Sequence, residues 1–141
     1  LVDLMDWEGW ARRAEQAIDV ANRGDWAGLF APGARFGDPH TPDTDDLRGV
    51  SRMTKTMFPD WTQEITSIRG GDGWAVFEWI GRATYHATSS DDPGHGAPIE
   101  MHGATIVEVD DEGLVTSWRD YLDRKEPENQ IKAAVRAARD R

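Results

Sequence analysis

Residues 98–122, PIEMHGATIVEVDDEGLVTSWRDYL, decide how this chain folds. Two runs that alternate apolar and polar side chains, Pro98 to Val109 and Leu114 to Leu122, flank Asp110-Asp111-Glu112-Gly113. Alternation with period two marks a half-buried strand, and a short turn ending in glycine joins two such strands as an antiparallel hairpin. Met101, Gly103, Thr105, Val107 and Val109 then share one face of the first strand. Leu114, Thr116, Trp118, Asp120 and Leu122 share a face of the second, so an aspartate falls on the apolar side of a sheet. A carboxylate there loses hydration, which raises its pKa and suits it to carrying a proton near neutral pH. Asp120 is therefore a candidate catalytic residue. The plainer reading is a buried aspartate satisfied by backbone or arginine.

Toward the amino terminus the same period continues in Trp61 to Arg69 and Trp74 to Ala87, joined by Gly70-Gly71-Asp72-Gly73. Trp79, Gly81, Ala83 and Tyr85 share the face suited to lining a pocket, while Ile80, Arg82, Thr84 and His86 take the other. Thr88 to Ala97 reads as an exposed loop. Earlier in the chain the period is helical. Trp7, Trp10, Ala14, Ala17, Ile18 and Ala21 recur at three- and four-residue steps, a first helix ending near Asn22. Asn22-Arg23-Gly24-Asp25 reads as helix stop, turn and new N-cap, followed by a short helix from Trp26 to Phe30.

After Pro32-Gly33, a brief strand from Ala34 to Asp38 is halted by Pro39. His40 to Arg48, with Pro42 and its aspartates, reads as a loop. Val50, Met53, Met57 and Phe58 mark a third helix closed by Pro59, and Ile131, Ala134, Val135 and Ala138 lie on one face of a last helix from Pro127 to Arg139. Helices first and then an antiparallel meander give an α+β domain, residues 1–141, with helices on one face of a bent sheet around an apolar pocket.

The 141 residues carry 26 acidic against 16 basic side chains, a net charge of −10 with no basic block, which argues against nucleic acid and anionic membrane as partners. The chain has no cysteine, so thiolate catalysis and disulfides are excluded. No apolar run approaches the roughly 20 residues needed to span a bilayer, and the opening LVDLMDWEGW is acidic where a signal peptide is basic. A soluble, cytoplasmic protein is expected, although a first residue other than Met leaves room for a trimmed leader. His40 and His95 fall in loops, His86 and His102 on the outer sheet face, and no HxH or HExxH spacing occurs, so no metal is expected. No phosphate loop opens a helix, and no cofactor is expected. His86 and His102 with Arg82, Arg119 and Tyr121 give a half-polar outer face that either meets solvent or packs a homodimer.

Five fragments in this order carry a resemblance: Asn22-Arg23-Gly24-Asp25-Trp26, Gly37-Asp38-Pro39, Phe58-Pro59-Asp60, Trp79-Ile80-Gly81-Arg82-Ala83-Thr84 and the run from Gly113 to Asp123. The chain resembles the SnoaL-like domains of the NTF2-like superfamily, which also holds ketosteroid isomerases and limonene-1,2-epoxide hydrolases. The resemblance implies an NTF2-like cone, helices on a strongly curved, mostly antiparallel sheet enclosing a pocket. It implies that Asp120 is the acid-base or water-activating aspartate. It also brings in Asp38, which alone reads as an ordinary strand-ending aspartate, as the partner carboxylate converging on the same cavity. Trp79 and Gly81 stand where the epoxide hydrolases place an arginine and a second aspartate, and Phe36 where they place a tyrosine. Ala17 and Thr105 stand where a ketosteroid isomerase builds its oxyanion hole.

The implied function is cofactor-independent acid-base catalysis on a small, largely apolar molecule, such as a polyketide cyclisation. Tyr85, Thr105 and Trp118 would orient the substrate, with Phe36, Trp61, Trp79 and Met101 completing the lining. An epoxide hydrolase with a rebuilt water site, a dehydratase or isomerase, and a non-catalytic ligand-binding or dimeric scaffold domain are the alternatives.

Overall fold

The computed structural model describes residues 5–19 and 24–141. Its elements are α1 (Trp7–Ile18), a 3-10 turn (Trp26–Leu29), β1 (Phe30–Asp38), β2 (Thr41–Thr44), α2 (Leu47–Met57), β3 (Thr62–Gly71), β4 (Trp74–Thr84), β5 (Pro98–Val109), β6 (Val115–Leu122) and α3 (Lys125–Arg139). The strands form one sheet in the order β2-β1-β6-β5-β4-β3. Every neighbour pair is antiparallel except β1 and β6, which run parallel. The sheet is not closed into a barrel, and the three helices pack on it as an NTF2-like α+β fold.

One local device starts three elements. Asp6, Asp25 and Asp46 each cap a helical segment by accepting from the N–H three residues on, which belongs to Gly9, Gly28 and Gly49. Aspartate satisfies a donor that no helical carbonyl can reach, and at Gly9 and Gly49 an added Cβ would collide with the capping carboxyl itself. The far end of the cone is packed with buried aromatic side chains. Trp7 and Trp10 of α1 donate their indole N–H groups to the carbonyls of Gly71 (3.1 Å) and Gly113 (3.3 Å), pinning the helix to two hairpin turns. From there an aromatic series runs inward, Trp10 to Phe77 at 5.8 Å, Phe77 to Trp118 at 5.5 Å and Trp118 to Trp26 at 5.8 Å between ring centroids. Such pairs add about 0.5–1.5 kcal/mol each beyond burial.

The long helix α3 closes a free edge. Beyond the end of β6, the backbone of β5 is met by side chains instead of a strand: Gln130 accepts from the Glu100 N–H and donates to its carbonyl, both at 2.7 Å, and Glu126 accepts from the His102 N–H at 2.6 Å. This satisfies edge groups that would otherwise invite another chain.

Several expectations are corrected. The stretch from His40 to Arg48 is not a plain loop: Thr41–Thr44 is a short edge strand, a position that tolerates Pro42, and α2 already begins at Leu47. Pro32-Gly33 does not precede the first strand but lies inside it, as a register shift between Phe30 and Arg35 with Gly33 at φ 76°. Strict alternation fails in β6, where a register shift beside Glu108 and Val109 leaves Val115 buried and Thr116 exposed. Met53 and Met57 do not face the core but are 60% and 40% exposed, because α2 turns Val50, Thr54 and Phe58 inward. Ala21, Asn22 and Arg23, part of the expected end of α1, lie outside the described residues.

The outer face carries Arg82, His102 and Arg119 as expected, and each meets an acid of the same chain: Arg82 with Glu64 and Glu100, His102 with Glu126, Arg119 with Asp43. Trp74, Val76, Ile106 and Tyr121 are exposed among them. Among the described residues no helix is long and apolar enough to cross a membrane.

Candidate active site

The concave side of the sheet, α2 and the 3-10 turn enclose a cavity of about 190 Å³. That is many times the space one water needs, about 10–15 Å³, so the cavity suits a small-molecule ligand. Four of the seven tryptophans line it, Trp26, Trp61, Trp79 and Trp118. Two glycines make room for them. A Cβ on Gly81 would strike the Trp61 ring, and one on Gly103 would strike the Trp79 ring. Strand pairing sets Gly103 opposite Trp79, so the indole lies flat across the neighbouring strand and forms a wall.

Asp120 stands at the end of a hydrogen-bond relay built by the same pairing. Thr105 and Asp120 are opposite one another on β5 and β6, and the Thr105 hydroxyl donates to Asp120 Oδ1 at 2.6 Å. The Trp79 indole, reaching past Gly103, donates to Thr105 Oγ1 at 2.8 Å. Trp118, two residues before Asp120 and hence on the same face, donates its own indole N–H to Oδ1 at 2.8 Å. Both donors converge on one carboxyl oxygen, and among the described residues no group donates to Oδ2. No fully buried side-chain polar atom there lacks a partner, so Oδ2 opens on the cavity that Asp120 lines.

The residue keeps some solvent exposure through that cavity, but protein surrounds the carboxyl on its other sides. Burial raises its pKa to about 6 from an ordinary 3.8. The hydrogen bonds from Thr105 and Trp118 oppose the rise, and the charge of Asp38 adds to it.

Asp38 belongs to the same corner of the fold but not to the cavity lining. Its Oδ1 accepts from the N–H groups of His40 (2.7 Å) and Thr41 (3.0 Å), shaping the β1–β2 turn, and Arg124 lies 3.2 Å from Oδ2. Partial burial pushes this carboxyl up. The hydrogen bonds from His40 and Thr41, together with the Arg124 charge, outweigh that and hold it below its ordinary value. The two aspartates are thus neighbours with opposite shifts.

Of the other residues singled out in the sequence, Phe36, Trp61, Trp79, Met101 and Trp118 line the cavity. Thr105 is fully buried behind the lining and touches Asp120 from below. Tyr85 lies outside the lining, packed near Phe58 at 6.4 Å between rings. The inward face of α2 was missed: Val50, Ser51, Thr54, Lys55 and Phe58 line the opposite wall at helical spacing. Gln63 was missed too. Its Oε1 accepts from the Trp61 indole at 3.3 Å, which leaves its amide N–H groups without an acceptor among the described residues. Among those residues no group of three or more His, Cys, Asp or Glu stands together to hold a metal ion.

Three helices on a six-stranded mixed sheet, closing on an aromatic cavity with one buried carboxylate, define a domain of the NTF2-like fold. Residues 11–118 match the SnoaL-like domain model, and the chain belongs to that family. No curated protein matches the chain. Among solved structures, IdmH of Streptomyces antibioticus, provisionally assigned as a polyketide cyclase, superposes with a TM-score of 0.73 at 20% identity, covering 91% of this chain and 99% of the other. A provisionally assigned polyketide cyclase from Acidithiobacillus ferrooxidans gives 0.64 at 21% identity, over 91% and 92%. AclR of Streptomyces galilaeus, provisionally a hydroxylase, gives 0.68 at 16% identity, over 86% and 83%. At such identities the likeness is one of fold.

Proposed function

We propose that this protein is a cofactor-independent enzyme that moves a proton on a small, largely apolar carbonyl compound, with Asp120 as the base that takes the proton and the acid that returns it. The observation that carries this reading is the Asp120 carboxyl, set into an aromatic cavity with a pKa of about 6 and one oxygen open to the ligand space. A general base works best when its pKa lies near the operating pH, and an ordinary aspartate near 4 is too weak.

Membership of the SnoaL-like family and the cyclase-like neighbours favour an intramolecular aldol cyclisation. In that reaction Oδ2 takes a proton from the carbon beside a carbonyl, and the electron pair of the broken C–H bond forms an enolate. The enolate carbon bonds to a second carbonyl carbon of the same molecule, and the resulting alkoxide takes the proton back from Asp120. Nothing is oxidised or reduced. The Gln63 amide, which lines the same cavity, is a donor suited to the oxygen on which charge develops. Isomerisation or dehydration would share the first step.

The test is proton exchange. The protein should speed replacement by deuterium of the C1 protons of 2-tetralone in heavy water, and Asp120→Asn should remove that acceleration. Equal rates with wild type, with the variant and with buffer contradict the proposal.

A further inference from the structure

The cavity has a second charged end. Lys55 of α2 lines the aromatic cavity and also an open groove beside it, between α2 and the start of β1, and among the described residues only Ser51 shares that double position. Its side chain is exposed. The other two lysines of the chain both bridge to Glu128, Lys125 at 3.6 Å and Lys132 at 3.2 Å. Among the described residues no carboxylate lies within ion-pair distance of Lys55.

In a chain of net charge −10, Lys55 is the one lysine or arginine that lines this largely apolar cavity among the described residues, and no acid in ion-pair reach occupies it. The groove also holds two cations that do not line the cavity, Arg48 and Arg52, and three aspartates. Asp25 and Asp46 have their carboxyls turned back onto Gly28 and Gly49 as helix caps, and Asp45 is the third. In the free protein, water hydrates the Lys55 ammonium. A ligand covering the rim strips that water away, and the cost falls only if the ligand supplies an opposite charge.

We infer that the substrate carries an anionic group, in its simplest form a carboxylate, which pairs with Lys55 at the rim while the apolar body fills the cavity and the reacting carbonyl meets Asp120. This rests on the acid-base reading of Asp120 and deepens it. The substrate is then amphipathic, with an apolar ring system between a reacting end and an acidic end. Without Lys55 the overall negative charge of the protein would oppose such a ligand.

Calorimetric titration near neutral pH and at low salt, with 2-naphthoate and 2-naphthamide, tests the inference, because the two probes share size and shape and differ in charge. Wild type should bind the naphthoate about twofold to fivefold more tightly, the range expected of a rim ion pair. Lys55→Met should abolish that preference and leave naphthamide affinity within about twofold, Lys55→Arg should keep it, and added salt should shrink it. Asp120→Asn should retain the preference, so failure of the anion site and failure of the acid-base reading are seen separately. Equal affinities in wild type, tighter binding of the amide, no binding of the naphthoate at millimolar concentration, or a preference that survives Lys55→Met each overturn the inference.

Discussion

Asp38 and Asp120 sit on neighbouring parallel strands, in a register that sets Phe36 opposite Trp118 and Gly37 opposite Arg119, yet the chain treats them in opposite ways. Around Asp38 the backbone turns back on itself, so amide N–H groups and a guanidinium converge on the carboxyl and stabilise its charge. Around Asp120 the strands run on, their amides are spent on the sheet, and only a hydroxyl and an indole reach the carboxyl. Burial without enough donors leaves it reluctant to ionise. The difference teaches that a turn makes an aspartate that holds its charge and a strand interior makes one that holds its proton, even on neighbouring strands.

The sharpest way to break this comparison is activity. With a turned-over substrate, Asp120→Asn should lower kcat/KM by about 10²–10⁴-fold, the usual worth of a positioned base, while Asp38→Asn should change it by less than about tenfold. Comparable losses in both would make the two carboxylates a shared catalytic pair.

Stability against pH comes next. Asp120 has a folded pKa above its unfolded value, so its contribution is fully present below about pH 4 and is lost as pH rises through about 6. Replacing it with asparagine keeps an acceptor for Thr105 and Trp118 and removes the buried charge. Asp120→Asn should therefore be more stable than wild type by roughly 3 kcal/mol above pH 7, with the advantage vanishing in acid, as read from denaturant unfolding across pH. Asp38 has the opposite sign. Its contribution is present above about pH 4 and is lost as pH falls through its lowered pKa.

Thr105→Val removes the link between the Trp79 indole and Asp120. It should cost about 1–3 kcal/mol, because a buried N–H loses its acceptor, and it should raise the Asp120 pKa above the wild-type value, because the Thr105 bond now lowers it. The smallest effect belongs to the turn: Asp38→Asn should cost about 1–2 kcal/mol at neutral pH, measured in the same unfolding assay.

Much of this contrast is legible in sequence. Period-two alternation alone puts Trp118 and Asp120 on one face, and the spacing of one residue between them is what lets an indole N–H reach the carboxyl. The four long strands and the last helix follow from the same periodicities. What escaped did so for separate reasons. Hydrophobic periodicity identifies surfaces that meet other protein, but a cavity wall meets a ligand, so Ser51, Thr54 and Lys55 carry no apolar signal while Met53 and Met57 on the opposite face of α2 do. The edge strand β2 escaped because an edge admits the proline and aspartates that otherwise mark a loop. Asp38 could be placed at the end of a strand, but one partner of its carboxyl, Arg124, lies 86 residues along the chain.

The central claim is that these two neighbouring aspartates differ in proton affinity. Carbon-13 NMR titration of the side-chain carboxyls, with Asp120→Asn and Asp38→Asn used to assign the resonances, measures it directly. The account expects Asp120 to titrate at about 6 and Asp38 below 3.8. Both carboxyls titrating together near their ordinary value of about 4 would contradict it.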